Sequence, residues 1–207
     1  RTIRMLTLDL FNGYSDGIGL ILQQTNLNDD IFAACEAFYA WKSGGPIDVG
    51  ESATLYRILQ FNSWKHNLDK KFVLHGTLEK RKICNDPRIV NYPQRELLKL
   101  GGTSQWATAA VLSGDKERIK NPPNKLKLTY EAVDYWNEQR SKGKTWELHY
   151  DETILNQALV YLKLLNHKKV SFSPQQAEDY CFARAFGFIT KEEGELRWPS
   201  LRGHETD

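Results

Sequence analysis

Residues 50–57 read GESATLYR: small and hydroxyl-bearing residues, then an arginine. The first backbone N–H groups of a helix have no partner inside it, and the helix dipole adds positive potential there. An opening made of Gly50, Ser52, Ala53 and Thr54 lets an anion approach those groups, and Arg57 projects near the same face one turn on. GGTSQ, residues 101–105, is a second opening of this kind, and the segment around Asp179 is a third. Arg81, in EKRKI, adds another fixed cation, and arginine can grip a phosphate or carboxylate through two parallel bonds. Two acidic groups stand apart in the chain. Glu178-Asp179 opens toward the aromatic run YCFARAFGFI, and Glu205 follows Arg202 and His204. Carboxylates in unlike environments can divide the roles of acid and base. The same residues also suit plainer work. Ser and Thr cap helices, arginines cover surfaces, and acids favour first turns and tails.

The elements that must position these groups follow from periodicity. Arg1 to Leu10 alternates loosely and predicts a strand. Asp29-Asp30 precede Ile31, Phe32, Cys35, Phe38 and Tyr39 at helical spacing, and Ser43-Gly44-Gly45-Pro46 ends that helix. Ile47 to Val49 predicts a short strand. Glu51 or Ser52 opens a helix that buries Leu55, Ile58, Leu59 and Phe61, and Lys70 to Gly76 predicts another strand. Pro93 starts the short helix QRELLKL, and WATAAVL reads as a buried helix with a Ser/Thr cap. Thr129 opens a helix closed by Gly143. Trp146 to Tyr150 predicts a strand, Thr153 to Leu165 a helix, Val170 to Phe172 a strand, and Pro174 to Ile189 a long helix. Helices and short strands in alternation predict α/β layers. Lys120 to Lys127, KNPPNKLK, is the best boundary. It divides the chain into a first lobe, 1–120, with the GESATLYR and GGTSQ loops, and part of a second, 121–207, with the acids. No motif recurs at a fixed period.

Composition narrows the classes. A chain of 207 residues, 41% hydrophobic, can bury a sizeable core. A net charge of +2 lacks the basic surplus of a nucleic-acid binder. No apolar run is long enough to span a bilayer and no signal peptide opens the chain, and with so few, widely spaced cysteines a cytoplasmic protein is the expectation. Cys35, Cys84 and Cys181 lack metal-ligand spacing and read as reduced structural thiols. Both ends read as cut: the chain opens on Arg1 and closes on charged residues soon after Trp198-Pro199.

Taken in order, GESATLYR, LHGTLEKRKI, GGTSQWATAAVL, QAEDYCFARAFGFI and LRGHETD resemble the 5-enolpyruvylshikimate-3-phosphate synthase family over roughly residues 30–115 and 170–207. The resemblance implies a fold of repeated βαβαββ units in two lobes around a cleft. It implies transfer of the enolpyruvyl group of phosphoenolpyruvate to a hydroxyl of a phosphorylated acceptor such as shikimate 3-phosphate, with release of phosphate. By motif, Arg57 and Arg81 would hold phosphoenolpyruvate, with Thr54 close by. Thr103, Ser104 and Gln105 would grip the acceptor. Asp179 would take the acceptor's proton and Glu205 would protonate the methylene carbon. Arg202 and His204 would help neutralise the phosphate and carboxylate. No metal or cofactor is implied, since phosphoenolpyruvate is a co-substrate, and no nucleic-acid or membrane partner is expected.

The departures from the family pattern are specific. Glu51 stands where the family has Asn, Ala53 where it has Gly, Lys82 where it has Pro and His204 where it has Lys. Residues 1–28 lack the family's Lys-Ser segment, the chain stops before the C-terminal Arg and Lys segments, and the stretch from Gln105 to Asp179 is short. A diverged module that binds a phosphorylated metabolite without chemistry is therefore the second reading. A third is an interaction protein with Trp136, Trp146 and Trp198 on a partner surface, although each also fits a core.

Overall fold

The computed structural model describes residues 1–24, 27, 29–114 and 119–148. Contacts divide the chain into two compact units, Arg1–Leu148 and His149–Asp207, and the described residues all belong to the first. That unit contains helices α1 (Thr2–Phe11), α2 (Asp16–Leu22), α3 (Asp29–Ser43), α4 (Ala53–Lys65), α5 (Gly76–Lys80), α6 (Gln94–Leu97), α7 (Gln105–Leu112) and α8 (Asn124–Ser141). Two strands, β1 (Ile47–Asp48) and β2 (Phe72–Val73), pair in parallel with Ile47 opposite Phe72 and Asp48 opposite Val73. α4 is the crossover between them, which makes one β–α–β unit among the described residues and no repeat of it.

The strand expected over Arg1–Leu10 is a helix. Met5 to Leu10 are all buried, polar Thr7 and Asp9 included, because α1 is surrounded by α2, α3, α4, α7 and α8. A helix covered on every side has no polar stripe, so its sequence lacks a 3.6-residue signature and chance alternation reads as a strand. The strand expected over Lys70–Gly76 shrinks to Phe72–Val73, since Gly76 at φ +53° turns the chain into α5. Of the strand expected at 146–150, the described residues 146–148 are irregular, with Trp146 buried. α8 begins at Asn124, directly after Pro123, rather than at Thr129. Thr129 lies inside it, fully buried, and bonds Thr108 of α7 and Arg4 of α1. Residues 120–127 therefore lead into a helix packed on α1 and α7, and the compact unit continues through them to Leu148.

Other elements form where their sequence signals lie. The Ser52 hydroxyl accepts from the Leu55 amide and caps α4, whose Leu55, Ile58, Leu59 and Phe61 face the core. On α3, Cys35 and Phe38 are buried, whereas Phe32 and Tyr39 stay 56% and 51% exposed. Cys84 is half-buried and free.

One buried carboxylate ties the helices together. Asp9 of α1 has no exposure to solvent. Its Oδ1 accepts from Trp136 Nε1 (2.8 Å) and Arg140 Nη2 (2.6 Å), both of α8, and its Oδ2 accepts from Trp146 Nε1 (2.8 Å). Arg140 also forks onto Asp16 at 2.7 and 2.8 Å and lies over the ring of Tyr14, 4.0 Å from its centroid. Gly17 of α2 is needed for this closeness: a Cβ there would sit 2.1 Å from Asp9 Oδ2 and 2.7 Å from the Trp146 ring. Trp136 and Trp146 are thus core side chains satisfied by a carboxylate, not a partner surface. Trp198 lies outside the described residues.

Candidate functional site

β1 and β2 both end in short turns that lead to helix starts, and ligands of parallel sheets bind beyond the carboxyl ends of the strands. After β1 the chain passes Gly50 at φ +57° and enters α4. Asp48 Oδ1 accepts from the Gly50 amide (2.8 Å), which shapes this turn, and Oδ2 lies 2.8 Å from His75 Nε2 in the turn after β2. The Gly50 bond, and after it the His75 contact, hold the Asp48 carboxyl below its usual range.

Glu51 reaches the second turn. Its Oε2 accepts from the Thr77 amide (3.0 Å) and the Thr77 hydroxyl (2.9 Å), which satisfies the opening of α5. Those bonds, with the charges of Arg81 and His75 behind them, lower its pKa. The Glu51 hydrogen bonds are therefore committed to α5, while its charge still reaches Arg81. Gly76 makes the arrangement possible, since a Cβ there would come within 2.2 Å of Glu51 Oε1.

On the first turns of α4, Arg57 Nη1 donates to the Ala53 carbonyl (3.4 Å) and to Oε1 of Gln105, the first residue of α7. Gln105 Nε2 donates in turn to Thr54 Oγ1 (2.7 Å), and the Gln105 amide donates to Thr103 Oγ1 (3.3 Å). α7 approaches through two positive-φ glycines, Gly101 and Gly102, and places Trp106 beneath Arg57, with the guanidinium 5.9 Å from the ring centroid. Burial lowers the pKa of Arg57, and the neighbouring Arg81 guanidinium lowers it further. Among the described residues no carboxylate forms a salt bridge with either arginine, but the charge of Glu51 reaches Arg81. Arg57 Nε is also buried without a partner. Two cations that repel each other, with Arg57 partly stripped of water and without a carboxylate partner among the described residues, suit an anion better than they suit empty solvent.

Of the residues singled out from the sequence, Thr54, Arg57, Thr103 and Gln105 form one hydrogen-bonded group, and Arg81 acts on it through its charge. Ser104 precedes α7 but makes no side-chain cap bond. The Ala53 methyl, in the first turn of α4, is buried in the core. Asp179, Glu205, Arg202 and His204 lie outside the described residues. Asp48, His75 and Thr77 join the site without having stood out in the sequence; the aspartate two residues before Gly50 is the one sequence signal for that turn. Among the described residues no group of His, Cys, Asp and Glu could hold a metal, and no helix is long and apolar enough to cross a membrane. No family model, curated protein or solved structure matches this chain.

Proposed function

We propose that the chain is an enolpyruvyl transferase-like protein whose first unit carries a phosphoenolpyruvate-holding half-site. The observation that carries this reading is the pair of neighbouring cations Arg57 and Arg81, neither in a salt bridge among the described residues, with Gln105 and Thr54 fixing the first arginine at the start of α4. Phosphoenolpyruvate bears a carboxylate and a phosphate, so its site needs several fixed cations and free N–H groups. In this reading Thr103, Ser104 and Gln105 face the phosphorylated acceptor, Asp179 takes the proton of its hydroxyl, and Glu205 protonates the methylene carbon of phosphoenolpyruvate. Arg202 and His204 add positive charge around the leaving phosphate. The fold expected with it is a two-lobed one of βαβαββ units, the β1–α4–β2 crossover being one part, and the protein would work in the cytoplasm on small phosphorylated metabolites.

A second reading has an observation of its own. Glu51 keeps a carboxylate within electrostatic reach of Arg81, which weakens a site for a dianion. A binding module for a phosphorylated metabolite, without turnover, tolerates that weakening better than an enzyme does. Release of phosphate from phosphoenolpyruvate in the presence of shikimate 3-phosphate separates the two. Turnover that falls by orders of magnitude in Asp179→Asn supports the transferase. Thermal stabilisation by the ligands without turnover supports the binding module. Neither turnover nor stabilisation overturns both.

A further inference from the structure

Gln105 is the side chain through which α7 reaches the arginine of α4. Its Oε1 accepts from Arg57 Nη1 and its Nε2 donates to Thr54 Oγ1 at 2.7 Å. The two contacts need opposite characters at the two ends of the amide. Turned over, the amide would aim an NH2 group at a guanidinium that can only donate. The backbone of Gln105 is held as well, by Thr103 Oγ1. A glutamate of the same length would tie α4 to α7 at least as firmly, because a carboxylate accepts more strongly from a guanidinium than an amide does. It would also cancel the charge of Arg57. The neutral amide holds the guanidinium and leaves its charge available, next to the Arg81 guanidinium.

We propose that Gln105 is a positioning residue that fixes the Arg57 guanidinium for an incoming phosphate without neutralising it. This inference rests on the anion-site reading of Arg57 and Arg81 and gives Gln105 a role distinct from direct grip on an acceptor. A purely structural tie between α4 and α7 predicts that stability and ligand affinity move together on substitution. Positioning without neutralisation predicts that they part.

The experiment measures equilibrium binding of phosphoenolpyruvate, with inorganic phosphate as a second probe, and the urea midpoint of the full chain, Gln105→Glu and Thr54→Val. Gln105→Glu is expected to keep or raise the urea midpoint while binding phosphoenolpyruvate at least about tenfold more weakly, the scale of one charge-assisted hydrogen bond. Thr54→Val removes the hydroxyl that orients the amide and is expected to weaken binding several-fold. Wild-type affinity in Gln105→Glu overturns the positioning role while leaving the anion site in place. Failure of the unsubstituted protein to bind either probe removes the anion site itself. Should Gln105→Glu lose its fold, Thr54→Val decides alone, and unchanged affinity there overturns the role.

Discussion

Replacing Asp9 with asparagine should cost the first unit a large share of its stability. The carboxylate serves three donors, Trp136 Nε1 and Arg140 Nη2 at Oδ1 and Trp146 Nε1 at Oδ2, all within 2.8 Å. Asparagine has nearly the same shape but only one acceptor oxygen. If that oxygen takes the Oδ1 place, its NH2 faces the indole N–H of Trp146, donor against donor. A buried donor left unsatisfied costs about 1–3 kcal/mol. Arg140 also loses its fully buried counter-charge, although it keeps Asp16 at 2.7 Å. Breaking a buried pair outright costs about 3–5 kcal/mol, and the surviving Asp16 bond reduces that. The sum is about 3–5 kcal/mol, against a total of about 5–15 kcal/mol for a typical domain. Urea unfolding followed by tryptophan fluorescence and by circular dichroism measures it. The signal is informative in itself, because two of the bonds belong to indoles. Asp16→Asn, at the exposed end of the same fork, should cost about 1 kcal/mol or less. A loss below about 1 kcal/mol in Asp9→Asn would refute the reasoning, since no buried unsatisfied donor is that cheap.

Other outcomes follow from the same geometry. Gly76→Ala puts a Cβ within 2.2 Å of Glu51 Oε1 at a residue with φ +53°, and should destabilise by about 2–3 kcal/mol in urea. Adding Glu51→Ala should recover the steric part and leave the backbone part of about 1–2 kcal/mol. In Gly17→Ala the new methyl group meets Asp9 and Trp146, so indole fluorescence and the urea midpoint should shift together, by about 1–3 kcal/mol. Asp16 is held well below the carboxylate range, chiefly by its bonds to Arg140, and Asp48 is lowered by the Gly50 amide first and His75 after it. A depressed folded pKa contributes stability that is present above the unfolded value and lost as pH falls through the folded one. The urea midpoint should therefore hold down to the ordinary aspartate range and fall below it, and Asp16→Asn should flatten that fall. Burial, with Glu36 nearby, pushes the Cys35 thiol up to about 11, so alkylation mapped by mass spectrometry should mark Cys84 before Cys35 in the folded protein.

The residues that punctuate the chain make part of this fold legible. Ser52 before an apolar periodic run marks α4, Pro93 marks α6, and Gly101-Gly102 before Thr103 mark the entry to α7. Each acts within its own few residues, so the local sequence carries the information. α1 misleads for the opposite reason: its environment lies in five other helices, none adjacent in sequence except α2. Asp9 reads as a polar residue in the run LDLF, and only Trp136, Arg140 and Trp146 of the distant α8 region reveal what it does. The candidate site divides in the same way. Arg57 and Thr54 share a helix face and can be grouped by spacing, whereas the bond to Gln105 spans 48 residues and exists only because α4 and α7 pack together. Glu51 illustrates the limit of reading charge from sequence. It stands where an anion site should lack a carboxylate, yet its oxygen is engaged by Thr77, a residue placed there by the parallel pairing of β1 and β2.

Binding of phosphoenolpyruvate to the full chain, by calorimetry at low ionic strength, with Arg57→Ala and Arg81→Ala alongside, bears most directly on the two-arginine site. Saturable binding should weaken by about tenfold or more in each variant, the scale of one hydrogen bond to a charged group. Phosphoenolpyruvate that fails to bind the unsubstituted protein, or binds all three alike, would contradict a phosphate site at the start of α4.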